Sequence, residues 1–320
     1  LEVPEPKCGQ GGPGGLYDEA LSWEVLVNFI ENPSVTMKPG AVEHWRIING
    51  TTKMEFNLDL GDLIADGFEF AQIARDGIAF EEVVSITELD FTAGNRVDIL
   101  VKAPESLSGS VALEYAGTGG PGGGSGGGDL LSLTVSGEAE SDTLISGALP
   151  HIHGPDDLLP DFCSETVDAS NAFTFTVANS GLERFLIEGK AYDHSCVDVV
   201  MERDQLVEWW VYNGQGPAHP FHIHTNAFQV CDASNGKFIN QWMDTVPLPS
   251  NGWVRLRMRL DDFVGAYMFH CHFIDHEDLG MMMNVVIVDD AQSERLGEAE
   301  VNELMAQDLG ADASLQNMLF

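Results

Sequence analysis

The sequence predicts an all-β protein: two Greek-key β-sandwich domains followed by a short C-terminal helical tail. Three observations carry this. The chain holds 34 glycines, and Val, Ile, Phe and Thr alternate with polar residues in short runs bounded by turn dipeptides. Helical periodicity is almost absent before residue 290. At 320 residues the chain is long enough for two domains, each with its own core.

In order along the chain, residues 1–15 are Pro-rich and then Gly-Gly-Pro-Gly-Gly, which reads as a flexible lead-in. The first domain spans 16–137. Its expected strands are Trp23–Ile30, Ser34–Pro39, Ala41–Ile48, Glu55–Leu60, Ala71–Ala74, Glu88–Phe91, Arg96–Val101, Val111–Tyr115 and Leu130–Val135, with Asn49-Gly50 and Asp76-Gly77 as turns. Gly117–Gly128 reads as a floppy loop between two strands. A phosphate cradle is not expected there, because neither a lysine nor a helix follows it.

Residues 138–165 read as a linker and contain His151-Ile-His153-Gly154. The second domain spans 166–290, with strands expected at Ala172–Ala178, Glu183–Ile187, Gln205–Tyr212, Ala227–Val230, Trp253–Leu260, Tyr267–His272 and Met283–Val288. Residues 291–320 form the tail, in which Ser293–Leu309 has helix-forming composition and a weak apolar stripe.

The 15 basic and 51 acidic residues give a formal net charge of −36. Such a charge argues against nucleic acid or anionic membrane partners. It suits a salt-adapted, solvating surface that also concentrates cations. No apolar run approaches the length of a membrane span. The chain opens on Leu1 without a basic or apolar leader, so a leader or more is expected to have been removed. Cys8, Cys163, Cys196 and Cys231 are even in number, which fits one or two disulfides of unassigned pairing and an exported location: secreted, periplasmic or cell-surface.

The chemistry concentrates in two stretches. In His270-Cys-His-Phe-Ile-Asp-His-Glu-Asp-Leu-Gly-Met, the residues Cys271, His276 and Met281 fall at steps of five, with His270 and His272 flanking the cysteine. On a strand, Cys271 points to one face while His270 and His272 point to the other. One strand end then serves two metal sites, and thiolate, imidazole and thioether are parts of a blue-copper centre that is one histidine short. That histidine lies upstream, in His219-Pro-Phe-His222-Ile-His224. His222 and His224 share a face. His219 is three before His222 and so is expected to face elsewhere, with Pro220 expected to break the alternation between them. The plain alternative is a run of core histidines beside an inert cysteine, which leaves two complementary motifs unexplained.

These two motifs resemble the C-terminal copper signatures of the multicopper oxidases, the laccase-like and bacterial copper-oxidase enzymes. Segments around Ser34–Gly40, Trp45–Gly50 and Gln72–Gly77 are similar to the copper-free middle domain of the three-domain members. The resemblance implies cupredoxin-like folds for both domains. It implies copper as cofactor, with His219, Cys271 and His276 as type 1 ligands and Met281 axial. His222, His224, His270 and His272 would be half the ligands of a trinuclear cluster, and Glu277 would occupy a position used in proton supply.

The implied reaction is one-electron oxidation of a reducing substrate, coupled to reduction of dioxygen to water. The implied partners are a small reductant (a phenol, an aromatic amine or a metal ion), dioxygen, and a first cupredoxin domain or partner chain with the other cluster ligands. The alternative is a stand-alone blue-copper electron-transfer or copper-binding protein without oxidase activity. A third arrangement forms the cluster between subunits and uses His151 and His153.

Overall fold

The structure is a computed structural model, and it describes residues 25–118, 125–149, 159–178, 185–214, 216, 218–261 and 263–289. The lead-in at 1–15, the His151/His153 pair and the expected C-terminal helix lie outside the described residues. The chain divides into two compact units between Pro160 and Asp161.

The first unit carries β1 (Leu26–Val27), β2 (Ile30–Glu31), β3 (Ser34–Met37), β4 (Val42–Ile48) and β5 (Glu55–Asp59). After α1 (Gly61–Ala65) come β6 (Glu69–Arg75), β7 (Ile78–Ser85), β8 (Glu88–Phe91), β9 (Arg96–Lys102), β10 (Ser110–Thr118) and β11 (Ser125–Val135). A five-stranded sheet in the order β3-β11-β10-β5-β8 faces a four-stranded sheet in the order β4-β9-β6-β7. Along β9 the burial alternates residue by residue, which gives an inward row of Val97, Ile99 and Val101. These meet Phe56, Leu58 and Leu113 from the facing sheet, and each such side chain contributes about 1.5–3 kcal/mol by leaving water.

Three local expectations change in this unit. Trp23–Ile30 is not one strand, because Asn28 and Phe29 take φ of 51° and 67° and fold Leu26–Glu31 into a hairpin. The helix α1 and the long strand β7 were not expected. Gly117 and Gly126–Gly128 are not loop: they extend the β10–β11 ladder, with Gly117 opposite Gly126. Glycine suits this ladder sterically, since a Cβ on residue 127 would stand 2.9 Å from the Tyr115 carbonyl oxygen.

Both ends of the stretch expected as linker are tied down, each within its own unit. Val83 N donates to Gly147 O and Leu149 N to Glu81 O, at 2.9 and 2.8 Å. At the other end, Cys163 is disulfide-bonded to Cys231. Arg257 Nη1 also donates to the carbonyls of Phe162, Cys163 and Glu165.

The second unit holds β12 (Ala169–Val177), β13 (Phe185–Ile187), β14 (Val199–Glu202), β15 (Leu206–Asn213), β16 (His219–Ile223) and β17 (Phe228–Ala233). β18 (Trp242–Met243), β19 (Thr245–Leu248), β20 (Trp253–Arg259), β21 (Gly265–Cys271), α2 (Ile274–Asp278) and β22 (Met282–Val288) follow. Six strands in the order β13-β12-β15-β20-β17-β18 form one sheet, and five in the order β14-β22-β21-β16-β19 form the other. Trp209, Phe173, Phe221 and Phe269 fill the space between them with ring centroids 4.6–6.2 Å apart.

Candidate metal centre

The centre is built on the pairing of β16 with β21. Phe221 lies opposite Cys271 and His222 opposite His270. The ladder continues through Pro220, which pairs with Pro247 on β19. The expected break at Pro220 is therefore absent. Alternation alone puts His219, Phe221 and Cys271 on the inner face and His222 and His270 on the other, because positions three apart have opposite parity.

On the inner face, Cys271 Sγ is 3.6 Å from His219 Nδ1 and 3.5 Å from His276 Nδ1, and the two nitrogens are 3.0 Å apart. His219, Cys271 and His276 are all buried. His276 arrives on α2, a short helix whose first turn carries Asp275 and Glu277, where negative charge suits the helix N-terminus. Met281 is also fully buried. Its N–H donates to His276 O, and its carbonyl accepts from Cys271 N at 3.0 Å. Metal–ligand bonds of about 2.0–2.3 Å place three trigonal donors about 3.4–3.8 Å apart. The observed triangle matches that to within a few tenths of an ångström, and its thiolate–imidazole chemistry suits copper.

On the opposite face, donor atoms of His222, His224 and His270 gather within 4.8 Å of one another. His224 Nε2 is 3.2 Å from His270 Nε2. The His272 ring lies 5.2 Å from that of His222 and 5.6 Å from that of His270.

The tautomers follow from the outer partners. Thr245 Oγ1 donates to Asp244 Oδ1, so it accepts from His222 Nδ1 at 2.9 Å, and Asp244 O also lies 3.0 Å from that nitrogen. His270 Nδ1 donates to Cys271 O at 3.0 Å. Both rings therefore leave Nε2 as a lone pair for a metal. Burial pushes His270 down to about 3, with His222, His224 and His272 acting the same way against the Cys271 carbonyl, so the ring is neutral at physiological pH. Burial, followed by His222 and His272, also lowers His224.

Glu277 Oε2 lies 3.3 Å from His270 Nδ1. Burial raises this carboxyl to about 7, with Asp278 adding to the effect and His222 opposing it.

The other described histidines, His44 and His194, belong to neither group. His44 is on the surface of β4, with Nε2 2.6 Å from Asp98 Oδ1. His194 lies exposed in a turn beside Cys196, which is disulfide-bonded. Among the described residues Cys271 is a free cysteine. Sequence reasoning missed Asp244 and Thr245, which sit more than twenty residues from the histidine they orient. It also missed Phe185, whose ring stacks on His276 with centroids 3.9 Å apart.

The second unit thus carries a buried Cys-His-His triangle on one face of a strand pair and gathered imidazoles on the other. Residues 166–291 match the family described as multicopper oxidase, and they fit a later cupredoxin domain of such an enzyme. The chain is similar to the multicopper oxidase mco of Staphylococcus haemolyticus, at 24% identity over 83% of this chain and 52% of that protein. It is similar to the laccase of Bacillus subtilis, at 23% over 83% of this chain and 54% of that one. Among solved structures, a laccase from Pediococcus acidilactici superposes with a TM-score of 0.65 at 25% identity, covering 85% of this chain and 57% of that one. The chain thus spans about half the length of the curated relatives it matches.

Proposed function

We propose that this chain is part of a laccase-like multicopper oxidase. The observation that carries the reading is the convergence of His219, Cys271 and His276 back to back with His222, His224, His270 and His272 on one strand pair. His219, Cys271, His276 and Met281 would hold a type 1 copper. The four remaining histidines would hold half of a trinuclear cluster. When bound, the copper would supply one-electron oxidation of a reductant at the first group and reduction of dioxygen to water at the second.

The chain's own residues make the rest possible. The peptide bonds joining Cys271 to His270 and His272 are the shortest covalent link between the two groups. Asp244 and Thr245 fix the His222 ring, and the Cys271 carbonyl fixes that of His270. Glu277 Oε2 lies 3.3 Å from His270 Nδ1, and a carboxyl pushed up to about 7 by burial takes up and gives up a proton at neutral pH. Water formation consumes protons, so this is the catalytic role assigned to Glu277.

The other cluster ligands would come from a first cupredoxin domain or a partner chain. Substrates would be phenols, aromatic amines or a metal ion, and the disulfide Cys163–Cys231 supports a location outside the cytoplasm. The described residues include no helix long and apolar enough to cross a membrane.

A second reading, a stand-alone blue-copper protein, is favoured by one fact: the thiolate-bearing triangle is complete within this chain. Copper reconstitution separates the two. The oxidase reading expects a single blue copper on this chain alone, with further copper, a near-ultraviolet band and oxygen consumption once the first domain is supplied. Blue colour without oxygen consumption in that complex would reject the oxidase.

A further inference from the structure

We infer that Phe185 and the turn after it form a fixed cover over His276, and that Phe185 sets which reductants reach this edge of the site. The part about reductants rests on the copper reading above, whereas the cover itself is geometric.

His276 is 2% exposed, and Phe185, Phe273 and His219 pack around its ring. Phe185 lies parallel to one face, 3.9 Å away at 16°. Phe273 approaches edge-on at 5.3 Å and 76°. Nδ1 points to Cys271 Sγ and His219 Nδ1. Nε2, the remaining edge, faces Asp275 Oδ1 at 3.9 Å. At 2% exposure the imidazole is closed to direct contact with a reductant, and Phe185, itself 8% exposed, covers one whole face of it.

The cover is stiff. β13 pairs with β12, with Phe185 opposite Val177. Ile187 and Lys190 exchange two backbone hydrogen bonds of 3.0 Å around Glu188 and Gly189, both in the left-handed region with φ of 51° and 72°. Glu188 N donates to Thr174 O, and Tyr192 N donates to Gly280 O on the metal-binding loop, each at 2.9 Å.

Gly280 is the positioning residue that allows this close approach. Its φ is 113°, and an added Cβ would stand 2.9 Å from Ala191 Cβ and 3.2 Å from both Ala191 Cα and Phe185 O. With the ring in place, compact outer-sphere donors are favoured, and a bulky phenol is held off by the thickness of a phenyl ring. Each transfer moves one electron from the donor to the bound Cu(II), and a phenol releases its proton to water.

The test begins with the metal-free full chain, without reductant, so that the Cys271 thiol can be followed by its reaction with Ellman's reagent. Phe185→Ala and Gly280→Ala should speed this reaction at least about tenfold, and Phe185→Tyr should stay within about twofold of the parent, since thiol reactivity follows access. A natively folded Phe185→Ala protein with the parent rate overturns the cover. Phe185→Val, which keeps a strand-forming side chain, makes the same test if alanine does not fold.

The second arm loads Cu(II) and follows bleaching by a bulky phenol and by hexacyanoferrate(II). Phe185→Ala should raise the ratio of the two rates at least about fivefold, the effect of opening direct contact. An unchanged ratio overturns the selective role. Copper uptake without blue colour overturns the copper reading instead, and the thiol rates still decide the cover.

Discussion

Cys271 contributes to both groups: its Sγ closes the inner triangle, and its carbonyl orients His270. Cys271→Ser should keep the fold and abolish the intense blue absorption on copper loading, because that colour requires a thiolate ligand. Glu208 offers a residue-scale test of stability. Its side chain is 13% exposed and accepts from Arg257, Arg255 and Trp210. Burial raises its pKa, but the hydrogen bonds from these three residues outweigh that and hold the carboxyl below its ordinary 4.5. A depressed carboxyl adds stability above the unfolded pKa, and that stability is lost as pH falls through the folded value. Glu208→Gln should therefore cost about 2 kcal/mol in urea unfolding at pH 7, with the difference from the parent shrinking below about pH 4. An equal cost at both pH values would show that packing, not charge, is what Glu208 supplies.

At the scale of elements, the strands that carry the chemistry were the most legible. β16 and β21 announce themselves through His219–His224 and His270–His276, because ligand spacing and strand alternation point to the same residues. β7 and β14 were not legible. β7 follows its turn with Ile78-Ala-Phe-Glu-Glu-Val, whose adjacent glutamates blur the alternation, and β14 is a four-residue strand paired in parallel with a partner far along the chain. The helix α1 is too short to show a period. Asp244 and Phe185 were invisible for another reason: their roles exist only once β19 and β13 are placed beside the metal loops.

The segment Phe162–Ser164 gives a prediction on this scale. It is held by the Cys163–Cys231 disulfide, which closes a loop of 68 residues. The chain-entropy account assigns such a loop about 4 kcal/mol. A double Cys163→Ser, Cys231→Ser chain should lose most of that in urea unfolding. A loss under about 1 kcal/mol would leave the Arg257 hydrogen bonds as the main anchor of the segment.

For the whole molecule, the charge of −36 dominates. Self-repulsion opposes the compact state, and added salt screens it, since the Debye length falls from about 10 Å at 0.1 M to about 3 Å at 1 M. The thermal midpoint should rise by roughly 5 °C or more between these concentrations of potassium chloride. A midpoint that falls would mean the acidic surface is already neutralised by bound cations. The opposed faces of β16 and β21 have a consequence for how such a domain evolves or is engineered. A single-residue shift in the register of β21 against β16 would swap thiol for imidazole on both sides at once. Insertions and deletions in these strands therefore strike both groups together, whereas substitutions can reshape one face and leave the other intact.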